Sequence, residues 1–153
     1  MSTTSRDDQI WQGVAAALTA TNQFDAVIVS KLPEETAFPI SGQSVAYIAP
    51  GSYAEESRHY DASGPTYRRT VRYGLTIAVR SGDKVARDAI ASQLADVAQD
   101  ALTGVSLGPN TIPAWNMCKA GRFETPNTNE RRVILMGEVS VLVVGYGGRD
   151  TGS

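Results

Sequence analysis

Residues 67–104, YRRTVRYGLTIAVRSGDKVARDAIASQLADVAQDALTG, change their hydrophobic period once, and this change decides the fold class. In the first half, apolar and polar residues alternate for about ten positions, which is typical of a strand with one buried face and one polar face. The residues of the apolar face are Val71, Tyr73, Leu75, Ile77 and Val79. This is the longest strand that the sequence predicts.

The second half of the stretch has the period of an amphipathic helix, which we predict over residues 83–102. Gly104 supplies a C-terminal stop. The apolar face of this helix is predicted to consist of Ala86, Ile90, Leu94, Val97 and Ala101.

Toward the N-terminus, residues 5–20 predict a short amphipathic helix. Ser5 and Asp8 have the spacing of a capping box, with aspartate in place of the usual glutamate. The apolar stripe contains Ile10, Val14, Ala17 and Leu18, widened by Trp11 and Ala15. Two short apolar runs, 26–29 and 44–50, follow and predict two strands.

Toward the C-terminus, residues 114–123 and 131–146 predict two more strands. The last strand is apolar on both faces. One face consists of Val133, Leu135, Val139, Val141 and Val143, and the other of Ile134, Met136, Leu142 and Val144. Both faces of such a strand must be shielded from water by other parts of the structure. We expect a neighbouring subunit to cover part of one face. Together these elements predict an α+β fold, in which two helices pack on a mostly antiparallel sheet of about four or five strands.

Composition indicates one domain spanning residues 1–153, since 153 residues with 42% apolar content suffice for one core. The net charge of −2 predicts no general attraction to nucleic acid or to an acidic membrane. A single cysteine, Cys118, excludes an internal disulfide. The acidic N-terminus lacks a signal-peptide pattern, and no apolar run is long enough to span a membrane. We expect flexible termini at 1–5 and 147–153.

Residues 51–66 interrupt the apolar pattern and predict a long polar loop. Insertions of this length inside a compact domain are uncommon and usually functional. Tyrosine and arginine are also enriched at the energetic centres of protein interfaces. The residues that we expect to contact another subunit or a tube are Tyr53, Arg58, His59, Tyr60, Tyr67 and Arg69.

Catalysis is the first alternative for this loop, with His59 and Asp61 beside Ser52, Ser57 or Ser63. A triad needs a rigid scaffold and an oxyanion hole, whereas these residues crowd onto one segment without a nucleophile elbow. One histidine and one cysteine also make a poor metal-ligand set. We therefore expect no enzyme activity, no metal and no cofactor.

Nucleic-acid binding is the second alternative. Arginines on one strand and tyrosines that could stack on bases provide the residue types. They are Arg58, Arg68, Arg69, Arg72 and Arg80 with Tyr53, Tyr60 and Tyr67. A solvated strand face explains most of these arginines, so only non-specific contact with passing DNA is expected. A protein that self-assembles is the interpretation that the residues favour.

The order of elements resembles the tail terminator (tail completion) proteins of tailed bacteriophages, including the lambda-type minor tail protein U. The resemblance covers almost the whole chain. It comprises the opening helix DDQIWQGVAAAL, the strand FDAVIVSKLP, the long loop before YRRTVRYGLTIAVR, the helix DKVARDAIASQLADVAQDAL and the closing strand RRVILMGEVSVLVV.

This resemblance implies a structural virion protein, assembled in the host cytoplasm. It implies a homo-oligomeric ring, commonly a hexamer, that terminates the tail tube and connects it to neck or connector proteins. Genomic DNA would pass through the channel. Two alternatives stay open: a head-completion or neck ring protein, and a small enzyme or ligand-binding α+β domain.

Overall fold

The computed structural model describes residues 6–29, 44–61, 64–81, 83–108, 111–127 and 129–144. For residues 6–8, 50–61, 64–69, 127 and 142–144 it describes the backbone alone. The elements are α1 (Arg6–Ala20), β1 (Ala26–Val29), β2 (Ser44–Asp61), β3 (Gly64–Arg80), α2 (Lys84–Leu102), β4 (Met117–Asn127) and β5 (Glu130–Val144), with a 3-10 turn at Pro113–Trp115. The predicted α+β class is confirmed. The predicted flexible termini and the Ser5 cap lie outside the described residues.

The five strands form one sheet in the order β1-β2-β3-β5-β4. Only β1 is parallel to its neighbour, and it pairs with β2 over Val45–Ile48. The β2–β3 and β3–β5 ladders are both antiparallel and long, and the latter runs from Thr66 opposite Val144 to Arg80 opposite Glu130. The most strongly patterned strand of the sequence, β3, is therefore the centre of the sheet.

The helices cover one face of this sheet. The core contains the predicted apolar side of β3 and the alternate residues of β5, and it is closed by the α1 residues Ile10, Trp11, Val14 and Leu18. The predicted stripe of α1 is confirmed by the burial of these four side chains. α1 also approaches the α2–β4 connection closely, because a Cβ on Gly13 would lie 2.1 Å from the Leu107 carbonyl oxygen.

The buried face of α2 differs from the prediction by about one position. Its buried residues are Arg87, Ala91, Leu94, Ala95, Ala98 and Leu102. Ile90, predicted to be in the core, is 39% exposed. Alanines allow the helix to lie close to the sheet, and this close packing outweighs the burial of one larger side chain at the margin. Asp83 caps the helix through bonds from the backbone N–H groups of Val85 and Ala86, and Gly104 follows it with a φ of +71°, which agrees with the predicted ends.

The predicted polar loop at 51–66 is wrong. The backbone of residues 44–61 and 64–80 forms one long β-hairpin, with Asp61 opposite Gly64 at its end. Two register shifts interrupt the ladder, between Pro50 and Tyr53 and between Tyr53 and Glu55. The sequence shows no period of two there, since a ribbon outside the core has no face that must be apolar.

The strand predicted at 114–123 begins later and ends later, because Pro113–Trp115 is a 3-10 turn and β4 runs from Met117 to Asn127. Asn116, buried at the junction, fixes this start. Its Nδ2 donates to the Val105 carbonyl at 2.8 Å, and its Oδ1 accepts from the Ser140 backbone N–H at 3.0 Å. The α2–β4 connection is thereby tied to β5.

On the core face, a buried tyrosine of β3 lies in a row with one residue of β5 and one residue of β4. Tyr73 lies opposite Gly137, and Gly137 lies opposite Cys118 on β4. The Tyr73 ring occupies the space above Gly137, because a Cβ there would lie 1.9 Å from the ring Cζ. Trp11 packs edge-on against the same ring, with centroids 6.1 Å apart. A large side chain thus covers a glycine in the middle of the sheet.

Burial changes the acid–base behaviour of this cluster. It raises the pKa of the Cys118 thiol to about 11, and the Tyr73 hydroxyl partly offsets the rise. It raises the pKa of Tyr73 above its usual range, with the charge of a Cys118 thiolate as a second cause. Both groups therefore stay protonated in the folded chain at pH values where the unfolded chain has begun to lose those protons.

We predict that the free energy of unfolding decreases as the pH rises from about 9 to 11. The unfolded thiol loses its proton near its usual pKa of 9.0, so the folded state binds more protons over this window and alkali favours unfolding. Urea titrations at stepwise pH would measure this decrease. In Cys118→Ala the decrease should be smaller, by up to about 1.4 kcal/mol per pH unit. Equal slopes for wild type and Cys118→Ala would contradict the prediction.

Candidate interaction surfaces

The six predicted contact residues all have their backbone in the β2–β3 hairpin. Arg58 lies opposite Tyr67 across the ladder. Tyr53 lies opposite Val71, and Arg69 lies opposite Glu56. His59 and Tyr60 lie nearer the turn and face Thr66 and Pro65. The hairpin register therefore places Arg58 and Tyr67, nine positions apart in the sequence, opposite each other. The role of the six residues as contacts stays a prediction.

The described sheet narrows toward the hairpin turn. β1 pairs with β2 only as far as Ile48, and the β4 ladder reaches β5 only as far as Glu138. Beyond these points, β2, β3 and β5 form a three-stranded ribbon, joined at one edge by an isolated bridge from Thr111 to Val141. From Val71 to Gly64 this ribbon extends for about 23 Å at 3.3 Å per residue.

The opposite face of the sheet is divided into a buried and an open half. Beside β1, Val45, Tyr47 and Ala78 form a second buried cluster. Beside β4, by contrast, Met136 is 58% exposed. A groove of about 220 Å³ lies in this open half, lined by Arg72, Met117, Lys119, Met136, Gly137 and Glu138. We call it the outer groove.

The sequence contained a signal for the outer groove. Met136 belongs to the second apolar face of β5, for which we expected partial cover from another subunit. Its neighbours across the ladders are Gly74 and Lys119. The contribution of Met117 could not be seen, since residues 114–123 have mixed polarity and their register is set only by pairing with β5.

Ion pairs lie at two positions of the β3–β5 ladder on this face. Arg72 Nε donates to Glu138 Oε1 at 3.1 Å at the rim of the outer groove, where both side chains are partly exposed. At the other end of the ladder, Glu130 is almost fully buried and accepts from Arg80 at 3.0 Å and also from Arg132. Two arginines of the predicted nucleic-acid set, Arg72 and Arg80, are thus paired with carboxylates, which weakens the basic stripe that this alternative needs.

The free edge of β4 is unsuited to pairing with another strand. A register shift interrupts its ladder between Ala120 and Arg122, and Pro126 lacks a backbone N–H. Lys119 and Arg122 place charges along it. Bulges, prolines and charges are the features by which edge strands avoid association. Contacts at this end of the sheet are therefore expected to use its face.

Catalytic and metal sites have little support in the described part of the chain. His59 and Asp61 lie on the hairpin near its turn, away from the groove. Within the described residues, no group of three or more His, Cys, Asp or Glu is placed to hold a metal ion. No helix among them is long and apolar enough to cross a membrane.

No family model matches the chain, and no curated protein sequence matches it. Among solved structures, it is similar to a chain of the "Virion of native gene transfer agent (GTA) particle". The two are 17% identical, the match covers 90% of this chain and 95% of that chain, and the TM-score is 0.43. A likeness at this level assigns no function.

Proposed function

We propose that this chain is a non-enzymatic structural protein of a tailed phage particle. In this proposal it forms a ring, a hexamer in the simplest case, that terminates the tail tube and joins it to neck or connector proteins. Genomic DNA passes through the channel without sequence-specific contacts. The observation that supports it best is the β2–β3 hairpin, a ribbon that extends about 23 Å beyond the last residue pair between β4 and β5.

The hairpin supports an assembly role by its shape and its residue types. A β-ribbon held at its base by a buried ladder can reach a neighbouring molecule without rearrangement of the core. Beyond Ile48, no described strand pairs with the outer edge of β2, and a strand edge of this kind can pair with a strand of another molecule. The tyrosines and arginines at 53–69 are types enriched at interfaces.

The sheet supports assembly independently of the hairpin. Its outer groove exposes methionine side chains beside ion pairs, on a strand that the sequence marks as apolar on both faces. Exposed methionines adapt their shape to different partners and are common at binding surfaces. An enzyme or ligand-binding domain would instead need convergent polar groups in a pocket.

Shortening the hairpin tests the proposed function. Residues 57–68 are replaced by Asn-Gly, which can close a two-residue turn on the ladder pair Glu56 and Arg69. We expect a folded domain with little change in melting temperature, since the described core lies outside the deletion. Ring formation or docking to tail tubes should be lost. Light scattering gives the mass, and negative-stain images with and without purified tubes show rings and capped ends.

Two outcomes contradict the proposal. One is a full-length protein that stays monomeric alone and with tail tubes. The other is normal assembly and tube capping by the shortened variant, which would remove the hairpin from the function. Binding of the wild-type ring to purified portal or connector complexes but not to tubes would favour the head-completion alternative.

A further inference from the structure

The outer groove combines an apolar floor with a lysine that no carboxylate of the described residues neutralises. Met117 and Met136 provide exposed apolar surface, at 37% and 58% exposure. Arg72 is neutralised by Glu138. Lys119 is exposed beside Met136, and within the described chain no carboxylate pairs with it. An occupant of this groove should therefore be apolar in part and acidic in part.

The solvent face of α2 has this composition. Val85 is 79% exposed, the largest exposure among the described large apolar residues. Asp96 and Asp100 are also exposed, and the described residues include no cation paired with them. At about 100° per residue, these three side chains lie within roughly 60° of one another around the helix. Ala89 and Ser92 lie between them and are small enough for close approach.

We propose that the outer groove binds the solvent face of α2 from a second copy of this chain. In this contact, which rests on the proposed ring function, Lys119 of one copy lies against Asp96 and Asp100 of the next, and the methionines cover the apolar part of the helix around Val85 and Ala89. Opposite charges across a contact favour one register over others.

The positions of the two surfaces determine the kind of assembly. α2 packs on the core face of the sheet, whereas the outer groove opens on the other face. A contact between two different surfaces of the same chain is head-to-tail, and such contacts produce closed rings when the rotation allows. The α2 helix of each copy would then cover the open half of the outer sheet face of its neighbour.

A charge exchange tests this contact. Lys119→Glu and the double variant Asp96→Lys/Asp100→Lys should each raise the apparent Kd for assembly at least about tenfold, because only like charges then face each other. The triple variant Lys119→Glu/Asp96→Lys/Asp100→Lys should recover to within about threefold of wild type. Arg122→Glu is the matched control for the first, since Arg122 is on the same strand and 70% exposed but lies outside the groove lining. It should assemble normally. Light scattering over a protein dilution series measures wild type and the four variants.

Met136→Asp tests the apolar part of the same contact. Its side chain is mostly exposed, so circular dichroism and melting temperature should stay close to wild type, while assembly is lost. If wild type assembles and the Lys119→Glu and Asp96→Lys/Asp100→Lys variants assemble equally well, or if the triple variant fails to recover, this contact is wrong while the proposed ring stands. A wild type that is monomeric alone and with tail tubes would overturn both.

Discussion

Glu130→Gln is expected to lower the free energy of unfolding by about 3 kcal/mol, at the lower end of the range for breaking a buried ion pair. The Glu130 carboxylate is 1% exposed and accepts from Arg80 and Arg132 on the outer face of the sheet. The amide keeps the shape but loses the negative charge, which removes the Glu130 carboxylate from the Arg132 guanidinium, 16% exposed. Urea unfolding followed by circular dichroism measures the change.

The same strand provides a matched control. Glu138 also lies opposite an arginine of β3 and accepts from Arg72 at nearly the same distance, but both side chains are partly exposed. Glu138→Gln should therefore cost no more than about 1 kcal/mol. Equal losses for the two variants would show that burial does not set the energy of these pairs.

Gly137→Ala is expected to destabilise the chain by about 3 kcal/mol, the upper end of the usual range for overpacking. The added methyl would overlap the Tyr73 ring, which is 1% exposed and is also packed against Trp11. The ring cannot turn away without displacing its neighbours, since cores have little free volume. Thermal and urea unfolding would show the loss.

Gly74→Ala is the control for this variant. Gly74 is the next residue after Tyr73 on β3, and the nearest atom to its added Cβ would be the Ala49 Cβ at 3.9 Å. Its stability should equal or slightly exceed that of wild type. Tyr73→Leu combined with Gly137→Ala should lose less than the sum of the two single changes, since the smaller side chain removes the overlap. Additive losses would contradict the proposed clash.

The elements that were predicted well are those whose pattern has one dominant cause. β3 alternates because one of its faces is buried under two helices, and α1 has a stripe of large apolar residues. On α2 the same reasoning misplaced the buried face. A sequence does not distinguish an alanine that allows a helix to pack closely on a sheet from an alanine on the exposed side of that helix. The prediction therefore placed Ile90 in the core, whereas Ala91 and Ala95 are the residues that are buried there.

The hairpin could not be predicted for a different reason. Its residues have no hydrophobic period, and their strand conformation depends on pairing between segments on either side of a turn. The six predicted contact residues all lie on this element, but the sequence could not supply the register that puts Arg58 opposite Tyr67. The apolar second face of β5 indicated an exposed surface at the outer groove. The β4 residues that line the groove could not be predicted, because their positions depend on the pairing of β4 with β5.

The two register shifts in β2 have a mechanical consequence. Residues 51, 52 and 54 have no partner on β3, so the ladder is discontinuous between the base of the hairpin and its tip. Bulged ladders bend and twist more readily than regular ones. A load at the tip should thus be absorbed as bending near Tyr53 before it shears the buried pairing of Val45–Ile48 with β1. In the proposed ring, this compliance would let the hairpin tips follow a partner of different rotational symmetry while every core stays in the same state.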